Sequence, residues 1–165
     1  MGPLLLGHLF DTIGRRKMIG GTYSFAALVL LISAVLFHNN SLTAMTPTLL
    51  WCLSFFFASA GASAGYLTVS EIFPLEVRGQ AISYFFAIAQ LVGATGPALF
   101  GWLVGDGTVR GPLFWGYVFA SFVMLFGGLV AFKFGVDAEG KSLEEIAPPL
   151  SSYDEHGNET LHLPV

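Results

Sequence analysis

Four stretches of this sequence, Met18–Phe37, Thr48–Ser70, Ala81–Val104 and Pro112–Phe134, are long and apolar, and none carries a charge near its centre. A helix needs about 20 such residues to cross the ~30 Å hydrocarbon layer, where its backbone groups must bond within the segment. The pattern therefore predicts an all-α membrane protein with four full transmembrane helices. Composition agrees: 11% of the residues are charged, against about 25% in soluble domains. The connections HNNSLTAMTP, EIFPLEVRG and GDGTVRG are short, which suits antiparallel neighbours in a bundle.

The charges are segregated. Residues 137–165 hold seven acids against Lys141, a net of −6, whereas residues 1–136 are net +2. Two regions follow: a membrane part, 1–136, and an acidic tail, 137–165. Within the tail, Ser142 and Glu145 have capping-box spacing and predict a short interfacial helix ending before Pro148–Pro149. Arg15, Arg16, Lys17, Arg78, Lys133 and Lys141 fall on one side of four spans, and Arg110 alone falls on the other. The positive-inside rule makes the first side cytoplasmic, and the tail with it. Gly2–Phe10 is apolar but half a span long and runs into Asp11. The expectation is a chain that starts partway through a membrane segment.

Ala58–Gly65 is a run of eight small residues, ASAGASAG. Helices in lipid gain little by burying apolar side chains, so association depends on close backbone approach through Gly, Ala and Ser. Gly61 and Gly65 form a small-xxx-small pair. The run serves either fixed packing or helices that shift and bend. In the third span Ser83, Ala87, Gln90, Ala94, Pro97 and Gly101 share one face, with Phe85, Ile88, Val92 and Leu99 elsewhere. The first set is expected to face protein or a water-filled path and the second to face lipid. Gly93, Gly96 and Pro97 mark the third span as able to bend, with a kink expected at Gly96–Pro97. Gln90 is either an interhelical hydrogen-bond partner or a cavity residue.

Glu71 lies at the end of the second span, before Pro74 and Arg78. It is read as an ion-pair latch with Arg78 or with Arg15 or Arg16, or else as a solvated loop charge. Asp11, between Gly7 and Gly14, is the second acid of this rim. No intramembrane His, Ser or acid constellation suggests an enzyme. Four scattered histidines and the single Cys52 offer no metal site, and no cofactor or nucleic-acid partner is expected.

Three motifs carry a resemblance. GHLFDTIGRRKM resembles the second copy of the G-x-x-x-D-[RK]-x-G-R-R loop of the major facilitator superfamily, SEIFPLEVRG its loop between spans ten and eleven, and GKSLEEI the tail after span twelve in the sugar-porter branch. The resemblance implies a partial major-facilitator helix bundle, with one half-helix (the end of span eight) and four full transmembrane helices (nine to twelve). It further implies a secondary carrier, proton-coupled or facilitative, that moves a small solute by alternating access in the bacterial inner membrane. Its partners would be the solute, a proton, the bilayer and an N-terminal half. By itself the chain is expected to be inactive; the alternatives are a small membrane protein that assembles with or regulates a larger carrier, or a truncated chain without function.

Aligned on Glu71 and Arg78, the sugar porters' proline–tryptophan step falls on Gly65 and Tyr66, and their asparagine–tryptophan pair on Ala89 and Gln90. These departures imply a bacterial metabolite–proton carrier rather than a hexose carrier, with Tyr66 and Gln90 as candidate solute contacts. Thr12 replaces the family's usual basic residue and implies a weaker loop latch.

Overall fold

The computed structural model describes residues 2–40, 45–105, 111–136 and 148. Among these it is a helix bundle: α1 (Gly2–Thr12), α2 (Arg15–His38), α3 (Met45–Ile72), α4 (Leu75–Gly93), α5 (Thr95–Val104) and α6 (Gly111–Phe134). Helices α2, α3 and α6, with α4 and α5 taken together, are long and apolar enough to cross a membrane. The half-helix and four full spans are thus present. The predicted interfacial helix of the tail lies outside the described residues.

Local chemistry sets the boundaries. At the end of α1 the Thr12 hydroxyl donates to the carbonyls of His8 at 3.2 Å and Leu9 at 3.4 Å, and so satisfies carbonyls of the last turn. Gly14 follows at φ 106°, a left-handed conformation that side chains disfavour, and α2 starts directly after it. Pro74 stands immediately before α4, a position where its missing N–H costs nothing.

The third span is interrupted at Ala94, one turn before the expected kink at Gly96–Pro97, yet Ala94 keeps helical dihedrals and its N–H donates to the Gln90 carbonyl at 2.8 Å. Proline has no N–H to donate, and its ring collides with the carbonyl four residues earlier. For Pro97 that carbonyl belongs to Gly93, the last residue of α4. The Thr95 hydroxyl donates to the Val92 carbonyl at 2.7 Å and supports the interruption. Pro97→Ala is expected to fuse α4 and α5. The distance between spin labels at positions 84 and 102 should then lengthen toward about 27 Å, from the 1.5 Å rise per residue. An unchanged distance would assign the break to the glycines.

Helix α2 is the hub and packs against both α6 and α3, while α1 lies along α3. The contact residues are small. Ala26, Ala27 and Ala34 of α2 and Ala58, Ala60 and Ala64 of α3 are buried, while Phe122 and Phe126 of α6 are exposed. This inversion of a soluble core suits lipid, where thin contacts bring backbones together and bulky side chains face acyl chains. At the α2–α6 crossing a Cβ on Gly128 would lie 3.0 Å from the Gly20 carbonyl oxygen, and one on Gly20 would lie 2.6 Å from the Phe132 ring. Hydroxyls stitch the seams: Ser121 donates to the Ala27 carbonyl at 2.7 Å and Ser54 to the Ala26 carbonyl at 3.4 Å.

The broken span stands apart. No residue of α4 or α5 is buried. Both sets of residues assigned to opposite faces, Ser83/Ala87/Gln90/Ala94/Pro97/Gly101 and Phe85/Ile88/Val92/Leu99, are exposed among the described residues. The described helices touch this span at few points, α3 through α4 and α6 through α5.

Candidate functional site

The helix ends carrying Arg15, Glu71 and Arg78 gather the candidate charges. Arg15 is the first residue of α2, aimed by the Gly14 reversal; Glu71 is the penultimate residue of α3. The Arg15 guanidinium donates to the Glu71 carboxylate. Its Nη2 lies 3.6 Å from the Asp11 carboxylate, one turn back in sequence. The Arg15 and Glu71 side chains are 13% and 22% exposed and Asp11 is 69% exposed. The shielded pair therefore joins α2 to α3, and Asp11 adds a wetter contact to α1. Of the partners open to Glu71, the structure selects Arg15. Arg78 turns back on its own loop, its Nε donating to the Phe73 carbonyl at 3.2 Å, while its Nη2 is buried without a hydrogen-bond partner among the described residues.

Arg16 does something the sequence did not suggest. Its Nε donates to the Phe132 carbonyl at 2.5 Å, in the last turn of α6. The final carbonyls of a helix have no intrahelical donor and sit at the negative end of its dipole, so a guanidinium there satisfies both demands. Adjacent arginines thus fix different neighbours, Arg15 gripping α3 and Arg16 gripping α6.

The two candidate solute contacts lie at the α3–α4 junction. Tyr66 of α3 stacks on Phe86 of α4, with centroids 4.2 Å apart and planes 9° from parallel, and meets Phe85 edge-on at 5.6 Å. Gln90 follows Phe86 by one turn on the same face of α4. The Gln90 side chain is exposed and has no protein hydrogen-bond partner among the described residues. Tyr66 is half-buried. Phe86 was missed from sequence because periodicity grouped the small and polar positions and passed over the aromatic between Ser83 and Gln90. Its partner is 20 residues away in sequence, so no local pattern could reveal the stack.

The candidate gating residues divide. A Cβ on Gly61 would lie 2.6 Å from the Thr22 hydroxyl and 3.3 Å from the Tyr23 ring, whereas Gly65, Gly93 and Gly96 have nothing within 4 Å of that position. Gly61 is a contact point between α3 and α2. Gly65, one turn on, opens away from every described helix. Pro97 is exposed and acts on the backbone through the break at Ala94.

A sequence profile of the Major Facilitator Superfamily matches residues 1–154. A cis,cis-muconate transport protein of Acinetobacter baylyi is 30% identical over 112 residues, which cover 66% of this chain and 25% of that protein. A hexose-6-phosphate:phosphate antiporter of Salmonella typhimurium is 30% identical over 167 residues, 96% of this chain and 35% of the antiporter. A probable plastidic glucose transporter of Arabidopsis thaliana is 29% identical over 161 residues, 93% of this chain and 29% of that transporter. The chain thus spans between a quarter and about a third of the length of these relatives. All three are named as transporters, and none as an enzyme. No solved structure matches the chain. With four membrane-length helices and a profile match over most of its length, this integral membrane protein belongs to the major facilitator superfamily.

Proposed function

We propose that the chain forms the C-terminal part of a secondary carrier that moves a small solute across a bacterial inner membrane by alternating access. Two half-molecules rock around a central site in such carriers, and these helices supply part of one half. The observation that carries this reading is the Arg15–Glu71 pair. It is a shielded ion pair closing one rim of a bundle whose third span bends at Ala94 and buries no residue. Six of the seven basic residues lie on the side of that rim, which supports a cytoplasmic position for it and for the acidic tail.

Solute contact is assigned to Tyr66 and Gln90, with Phe86 holding the Tyr66 ring. Aromatic surface next to a free amide suits a small organic metabolite: the ring covers its apolar face and the amide fixes a polar group. The relatives are named for muconate, hexose phosphate and glucose at similar identity. Gln90 in the place of the tryptophan and Gly65 in the place of the proline before Tyr66 favour a metabolite other than a hexose, carried with a proton.

The test is uptake into proteoliposomes with an imposed pH gradient, comparing the purified 165-residue chain with a whole carrier containing it. Labelled muconate, glucose and glucose 6-phosphate are the first probes. The chain alone is expected to give no uptake above empty vesicles, because a two-half pathway needs its partner half, while the whole carrier accumulates one of the solutes. Robust uptake by the chain alone would overturn the assignment as part of a carrier. A whole carrier that moved none of the probes, and whose presence changed the rate of another transporter, would point to a regulatory membrane protein instead.

A further inference from the structure

A cavity of about 400 Å³ lies among α2, α3, α5 and α6, lined in part by Trp51, Phe55, Phe100, Leu113, Tyr117 and Met124. It is distinct from the charged rim and from the Tyr66–Gln90 junction. Apart from Met124, just past the middle of α6, its lining falls in the half of each span remote from Arg15 and Glu71, so the cavity belongs mostly to the opposite leaflet. By the 1.5 Å rise per residue, Trp51 lies about 9 Å and Ala58 about 20 Å below the start of α3. Those depths are within hydrocarbon, below the headgroups.

We infer that this cavity is a binding site for the acyl chain of a bilayer lipid. Its chemistry excludes a polar solute. No charged residue lines it, and the Ser54 hydroxyl is already committed to the Ala26 carbonyl. The rings of Trp51 and Tyr117 meet within the lining, with centroids 6.0 Å apart. A cavity of this kind stays dry and takes apolar guests, and its volume falls within the ~300–1,000 Å³ of ordinary ligand sites. At that depth the abundant apolar molecule is an acyl chain.

Helix α5 forms one wall of the site. Phe100 belongs to α5, which the break at Ala94 separates from α4. Helix α5 rests on α6 where a Cβ on Gly116 would meet the Leu103 side chain at 2.9 Å. This inference does not depend on transport.

Helix α6 provides its own control. Leu113, Tyr117, Ala120 and Met124 face the cavity, whereas Trp115, Phe119, Phe122 and Phe126 are exposed on the outside of the same helix. The test uses the whole carrier in phosphatidylethanolamine/phosphatidylglycerol vesicles containing a phospholipid with a mid-chain diazirine, followed by irradiation and peptide mapping. Labelling is expected on both faces. Ala120→Phe, and separately Leu113→Trp, should abolish labelling of Tyr117 and Met124 and leave Phe119, Phe122 and Phe126 labelled. The retained outer-face labelling in either variant reports a folded, inserted helix. Labelling confined to the outer face in the unaltered carrier overturns the site, as does cavity-face labelling that survives both fillings.

Discussion

Replacing Gly61 with leucine is expected to prevent stable assembly of α3 on α2, whereas the same change at Gly65 leaves the bundle folded. The difference follows from the space at each position. The first atom added at Gly61 would lie 2.6 Å from the Thr22 hydroxyl, and Thr22 is fixed by its own bond to the Met18 carbonyl at 2.8 Å. Moving that hydroxyl breaks the bond, and moving α3 opens the seam lined by Ala58, Ala60 and Ala64. Overpacking a tight contact costs about 1–3 kcal/mol, and more where backbone must separate. Gly65 has nothing within 4 Å to obstruct a side chain, and changes at open positions stay within about 0.5 kcal/mol. Thermal unfolding in detergent should show a large drop for Gly61→Leu and almost none for Gly65→Leu. If Gly65 faces the pathway or the other half, uptake by the whole carrier should still fall in Gly65→Leu. Equal stability losses for both variants would contradict this division of roles.

The second large effect is at Glu71. Truncation to alanine removes the carboxylate that the Arg15 guanidinium bonds, and that guanidinium is 13% exposed, with the wetter Asp11 carboxylate at 3.6 Å. The cost is expected at about 2 kcal/mol, between the ~0–1 of an exposed ion pair and the ~3–5 of breaking a buried one. Glu71→Asp, which retains the charge on a shorter stem, should lose less. Hydrogen exchange at the C-terminal turn of α3 would localise the effect, rising in Glu71→Ala and rising less in Glu71→Asp. Uniform loosening of the whole bundle would instead mean that the pair acts on global stability alone.

The spans were legible because bilayer thickness and backbone satisfaction leave a chain of this hydropathy few choices. The sharp turn at Gly14 and the clustering of Asp11, Arg15 and Glu71 were legible from glycine spacing and the cost of lone charges at span ends. Which arginine Glu71 would choose was not: Arg15 is 56 residues from Glu71 and Arg78 only seven, so sequence proximity favoured the wrong neighbour. Arg16 on the α6 terminus was hidden for a related reason, since its acceptor is a backbone carbonyl that every residue possesses. The small run in α3 was visible, yet sequence could not say which of Gly61 and Gly65 meets a helix. That depends on the rotation of α3 about its axis. The break at Ala94 follows from Pro97, but one turn earlier than a literal reading of Gly96–Pro97 suggests, because proline acts on the preceding carbonyl.

A charge-swap cycle at Arg15 and Glu71, read as initial uptake rate in the whole carrier, tests the central claim most directly. Arg15→Glu and Glu71→Arg should each abolish most uptake, since each places like charges together at the rim. The double variant should recover a substantial share, because the pair is restored with its direction reversed. A double variant no better than the two losses combined would show that the pair does not govern the cycle.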